Sequence, residues 1–137
     1  MNIEYQVNQP ITVDEFILVL QNSGLAERRP VHDRECIAGM LEHANLLVTA
    51  RIDGKLVGVA RSLTDFHYAC YLSDLAVDKA YQAQGIGIEL QRLTQAQLGP
   101  HGKVILLAAP AAVGYYPKIG YTNHPSCWII GKDEKIG

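Results

Sequence analysis

The chain has 137 residues, 48% of them hydrophobic and 19% charged, a balance that fits one soluble globular domain spanning residues 1–137. Its formal charge of −2 supplies no basic field for nucleic acid, and no apolar run is long enough to cross a membrane. Cys36, Cys70 and Cys127 are odd in number, and Met1-Asn2-Ile3-Glu4 lacks the features of a signal peptide. Buried, reduced thiols in a cytoplasmic protein are therefore expected rather than a disulfide framework.

Ile3 to Val7 alternates apolar and polar residues and reads as a first strand. Thr12-Val13-Asp14-Glu15 is a capping box, with Ile11 and Phe16 placed for a hydrophobic staple. Val13, Phe16, Ile17 and Leu20 follow helical spacing, and Gly24 is the stop. A second helix beginning at Asp33 would bury Ile37, Met40 and Leu41. Leu46 to Ile52 and Leu56 to Ala60 flank Asp53-Gly54, the signature of a tight antiparallel hairpin. Tyr68 to Val77 is a longer third run in this region, followed by a glycine-containing loop and a helix with Ile86, Leu90 and Leu93 on one face.

Gly99-Pro100 ends that helix, and Val104 to Ala108 reads as a short strand covered on both faces. A helical turn from Ala111 to Lys118 precedes Gly120 and a last strand, Tyr121 to Ile130. The order β-α-α-β-β-β-α-β-α-β describes an α/β (α+β) domain, with a mixed, mostly antiparallel central sheet flanked by helices. Pairing or exchange of the last strand between subunits would make a homodimer.

The chemistry sits where Leu75-Ala76-Val77 leads into Gln82-Ala83-Gln84-Gly85-Ile86-Gly87. A strand entering a glycine loop that opens a helix presents unpaired backbone N–H groups to a phosphate or pyrophosphate. A Gly-x-Gly pair alone is equally a tight strand-to-helix connection. Two rival phosphate motifs are excluded. Leu90 stands where a Rossmann fingerprint needs its third glycine, and no Gly-Lys-Ser/Thr triplet exists for a P-loop.

Gln82-x-x-Gly85-x-Gly87, preceded by Asp74-Leu75-Ala76-Val77, resembles the pyrophosphate-binding motif of the GNAT acetyltransferases. Tyr115-Tyr116-Pro117-Lys118-Ile119-Gly120-Tyr121 resembles the second signature of that family, aromatic-Tyr-x-Lys-x-Gly-aromatic. The resemblance implies a GNAT-like fold and acetyl-CoA as co-substrate, with no metal. The backbone of Leu75, Ala76 and Val77 would meet the pantetheine arm. That of Gln82, Ala83, Gln84, Gly85, Ile86 and Gly87, with Ile88, would hold the pyrophosphate. The strand ending at Val77 would splay from the Val104 strand to admit the cofactor.

The reaction so implied is direct acetyl transfer to a primary amine of a small molecule or peptide. The amine must lose a proton and the departing thiolate must gain one. By the resemblance Tyr116 is the acid, its other reading being a packing aromatic. The positions matching the family base are Tyr71 and Ser73, neither a carboxylate nor a histidine. Strict alternation points Asp74 away from both, and a bulge could re-aim it toward the amine. A water chain to bulk solvent would serve as well. Ala109 stands where the family tends to carry an asparagine.

The 23–35 segment, with Arg28 and Arg29, falls where this fold forms part of the acceptor wall. Arginines there suit a carboxylate-bearing acceptor, or form a surface turn. His32, His43, His67, His101 and His124 show no metal-ligand spacing. The reading from another class is a non-catalytic acyl-CoA-binding module that senses or regulates.

Overall fold

The computed structural model describes residues 2–137. Two compact units divide the chain, one ending at Leu107 and the other running from Ala108 to Gly137. The first holds a five-stranded sheet in the order β1-β2-β3-β4-β5. Its strands are β1 (Ile3–Val7), β2 (Leu46–Ile52), β3 (Lys55–Thr64), β4 (Ala69–Val77) and β5 (Lys103–Ile105). All neighbours are antiparallel except β4 and β5, which are parallel. Helices α1 (Val13–Ser23) and α2 (Arg34–His43) precede the hairpin, and α3 (Ile86–Ala96) joins β4 to β5.

Local chemistry sets the boundaries. Thr12 Oγ1 accepts from Glu15 N–H while Glu15 accepts from Thr12 N–H, both at 3.0 Å, so the capping box forms as expected. Gly24 ends α1 at φ +88°, a left-handed conformation that an L side chain resists. Asp33 caps α2 from outside by accepting from Cys36 N–H. In the hairpin Asp53 and Gly54 both take positive φ, 50° and 80°, as the two-residue turn requires.

The sheet separates two apolar layers. On one face Phe16, Val19, Leu20 and Ile37 from α1 and α2 pack with Leu56, Val59 and Ala76. On the other, Ile86 and Leu90 of α3 pack with Val48, Ala50, Val57, Ala60, Cys70 and Leu72. Here α3 approaches closely, because a Cβ on Gly58 would stand 3.1 Å from both Ile86 Cγ2 and Leu90 Cδ1. Among the described residues no helix is long and apolar enough to cross a membrane.

Three expectations change. Among the described residues no strand forms in Tyr121–Ile130. Trp128 is 91% exposed and Ile129 75%, so burial supplies no drive for pairing there. The strand expected at Val104–Ala108 shortens to Lys103–Ile105, with Lys103 and Ile105 exposed rather than covered on both faces. Of the three free cysteines Cys70 is buried, but Cys36 and Cys127 are exposed. Conversely, β3 extends four residues beyond Ala60. The unit from Ala108 contains a 3-10 turn at Pro110–Ala112 and the short helix α4 (Tyr115–Lys118).

Candidate functional site

β4 pairs with β3 from Cys70 opposite Thr64 to Val77 opposite Gly58. Its other edge meets β5 only at Ala69, Cys70 and Tyr71. From Leu72 to Val77 no strand covers that edge among the described residues, although the Ser73 and Val77 carbonyls accept from the side chains of Arg29 and Gln82. An uncovered strand edge is the kind of surface with which an extended ligand can pair.

The strand runs straight into the glycine loop. Asp78 is buried and ties the corner down: its Oδ1 accepts from Ala80 N–H at 2.9 Å, and its Oδ2 accepts from Asn22 Nδ2 and lies 3.7 Å from Lys55 Nζ. Gln82 Nε2 then donates to the Val77 carbonyl at 3.0 Å, holding the loop against the strand end. Ala83 at φ +63° and Gly85 at φ +81° kink the loop into α3. Gly85 provides no side-chain cap, so the amides of the first turn of α3, at Ile86, Gly87 and Ile88, have no side-chain acceptor at the cap. A Cβ on Gly85 would meet nothing within 4 Å. Open space at Gly85, next to helix amides without a side-chain cap, is compatible with a bound pyrophosphate.

A bulge interrupts β4 at Ser73, two residues beyond Tyr71, the last residue paired with β5. Leu72 faces Ser62 and Asp74 faces Arg61, leaving Ser73 as the extra residue. The side chains before and after it therefore change sides. Cys70 and Leu72 belong to the α3 layer, whereas Ala76 belongs to the α1–α2 layer. Strict alternation, which would turn Asp74 away from Tyr71, fails at this point. Both now share a face, since Tyr71 opposes Leu63 and Asp74 opposes Arg61.

Asp74 is fully buried there, with both carboxylate oxygens committed. Arg29 Nε donates to Oδ1 and Arg61 Nε to Oδ2, each at 2.5 Å. Arg61 also donates to the Met40 carbonyl and to Ser73 Oγ, both at 3.0 Å. Arg29, which follows the 3-10 turn Leu25–Arg28 in an extended conformation, also donates to the Ser73 and Arg28 carbonyls. Arg61 was not singled out from sequence. The available signal was one arginine inside the apolar run Leu56–Leu63, which demands a buried partner.

Tyr116 lies on α4 in the second unit, its ring edge-on to Tyr115 and Tyr121 at 5.2 and 5.3 Å. Burial, with a smaller contribution from Tyr115, raises its phenol above the ordinary value, so it is protonated at neutral pH. The Tyr121 N–H donates to the Tyr116 carbonyl at 3.1 Å, closing the turn around Gly120 at φ +108°.

The family model for the acetyltransferase (GNAT) domain matches residues 18–127. A curated relative, GCN5-related N-acetyltransferase 2, chloroplastic, from Arabidopsis thaliana, is 34% identical over 73 residues. The match covers 52% of this chain and 28% of that protein, so most of the relative's length lies outside the match. A probable acetyltransferase from meticillin-resistant Staphylococcus aureus has a similar fold, with a TM-score of 0.73 at 22% identity. That alignment covers 95% of this chain and 98% of the other. The ribosomal-protein-alanine N-acetyltransferase of Brucella melitensis aligns with a TM-score of 0.71 at 18% identity, over 95% and 99% of the two chains. At such identities the solved structures speak for the fold alone.

Proposed function

The chain belongs to the GNAT acetyltransferase family, and on that premise we propose that it moves the acetyl group of acetyl-CoA to a primary amine of a small molecule or peptide. The observation that carries this reading is the uncovered edge of β4, Leu72 to Val77, ending in the Ala83–Gly85 loop and the uncapped first turn of α3. In this reading the backbone of Leu75, Ala76 and Val77 holds the pantetheine arm, and that of Gln82 to Ile88 holds the pyrophosphate. Gly87 supports it from another direction. Its backbone is helical, so φ does not require glycine there, and glycine within a helix costs about 1 kcal/mol relative to alanine. Space for a ligand is a reason to keep it.

Acetyl-CoA brings an activated acyl group: the C–N bond forms as C–S breaks, one proton leaves the amine and the sulfur gains one. Tyr116 is the proposed acid, on the strength of its motif and its protonated phenol. Because burial raises its pKa, protonation persists beyond the ordinary tyrosine range, and Tyr116 imposes no alkaline loss of turnover between pH 7 and 9. We assign Asp74 a positioning role rather than that of the base, since guanidiniums occupy both its oxygens. The amine then passes its proton to water. Cytoplasmic residence fits the free thiols of all three cysteines.

Acetyl-CoA calorimetry followed by thiol release against a panel of amines tests the reading. Binding with acceptor-dependent release is expected, and Tyr116→Phe should lower turnover about 10²-fold or more while leaving acetyl-CoA affinity intact. The commitment of Asp74 to two arginines is the observation that favours the sensor reading. Binding without release from any amine would select that reading, and absence of binding would sink both.

A further inference from the structure

Two guanidiniums share one carboxylate at the β4 bulge, leaving one positive charge over. Among the described residues the only carboxylate within 4 Å of Arg29 or Arg61 is Asp74. Arg61 is buried and cannot be reached, but the side chain of Arg29 is 21% exposed. Of its five N–H groups three are used, on Asp74, Ser73 and Arg28, which leaves one on each terminal nitrogen. The excess charge of a buried cluster thus surfaces at a single arginine whose orientation is fixed from behind.

Its position gives the charge a use. Arg29 holds the carbonyl of Ser73, the bulge residue at the start of the uncovered β4 edge. The next pair along the same sheet face is Leu63 opposite Tyr71, 42% and 37% exposed, an open apolar floor beside the arginine. We propose that Arg29 is a carboxylate subsite for the acceptor, and that the acceptor is a small amine carrying both a carboxylate and an apolar body. The amine identity rests on the transferase reading, whereas the anion subsite rests on the Arg29–Asp74–Arg61 geometry. A carboxylate there would supply the negative charge that the cluster lacks and accept the remaining N–H groups of a pre-oriented fork.

Paired acceptors that differ only in the carboxylate test this: L-phenylalanine against phenethylamine, and L-leucine against 3-methylbutylamine. The expected kcat/KM preference of the wild type for the carboxylate-bearing member is about 10- to 100-fold. Arg29→Met should bring the ratio close to one, and Arg29→Lys, which keeps charge without the fork, should fall between. Calorimetry with N-acetyl-L-phenylalanine and N-acetylphenethylamine in the presence of coenzyme A gives the same comparison without turnover. A wild-type ratio near one, an Arg29→Met ratio equal to wild type, or binding of neither product would overturn the proposal. Carboxylate-selective product binding that Arg29→Met abolishes, with no thiol release from any amine, would keep the subsite and remove the transferase reading. Should Arg29→Met fail to fold, the wild-type ratio and Arg29→Lys decide.

Discussion

β3 and β4 lie side by side and solve opposite problems. β3 is hydrogen-bonded on both edges, to β2 and β4, and is buried without a break from Leu56 to Ser62. β4 is paired with β3 from Cys70 to Val77 apart from the bulge at Ser73, but at only three residues on its other edge, and its burial alternates along its length. A sealed strand satisfies its backbone groups from its neighbours, whereas a strand left open must give them to solvent or to a ligand. The difference lies in the tertiary pairing, and substitutions on the two strands should therefore fail in different ways.

The largest effect is expected where the two strands are joined by charge. Asp74→Ala removes the one carboxylate between Arg29 and Arg61 and leaves a buried guanidinium uncompensated. A loss of about 3–5 kcal/mol is expected in urea unfolding. A change below about 1 kcal/mol would mean that the cluster is solvated and that the join between β3 and β4 is made by backbone alone.

Much of this contrast was legible in the residues. The capping box at Thr12, the Asp53-Gly54 turn and the Gly85 loop appear where local chemistry demands them, because each depends on a few neighbouring side chains. The bulge at Ser73 was not legible in this way. A period of two reads the same whether or not one residue is inserted, so the face on which Asp74 lies depends on its partner strand. Arg61 was hidden for the same reason, since its partners lie at positions 40, 73 and 74. The segment Tyr121–Ile130 ends in the apolar Cys127-Trp128-Ile129-Ile130, but composition cannot supply the neighbouring strand that turns a run into a sheet.

A smaller effect is expected on the sealed strand. Gly58→Val would place a branched side chain against Ile86 and Leu90, which already limit a Cβ at 3.1 Å. Forcing α3 outward should cost about 1–3 kcal/mol, read as a lower melting temperature. Unchanged melting would show that α3 rides loosely on β3. Thr49, which opposes Val59 of β3, has a buried hydroxyl without a hydrogen-bond partner among the described residues. Thr49→Val should therefore stabilise by about 1 kcal/mol. A loss of stability would reveal a partner for that hydroxyl, such as a buried water.

The smallest effect on stability is expected at the open side, where the effect on function is total. Gly87 occupies the first turn of α3, where a glutamate has better helix propensity and interacts favourably with the helix dipole. Gly87→Glu should therefore melt at or slightly above the wild-type temperature, a gain of no more than about 1 kcal/mol. The same carboxylate would face any pyrophosphate held by these amides and exclude it by charge and bulk. Calorimetry of a folded Gly87→Glu variant should accordingly show acetyl-CoA binding lost. Retained affinity would move the anion away from this turn and leave the uncovered edge of β4 without its proposed occupant. If melting fell by several degrees, glycine at this position would instead be serving the packing of α3, and the division of labour between β3 and β4 would weaken.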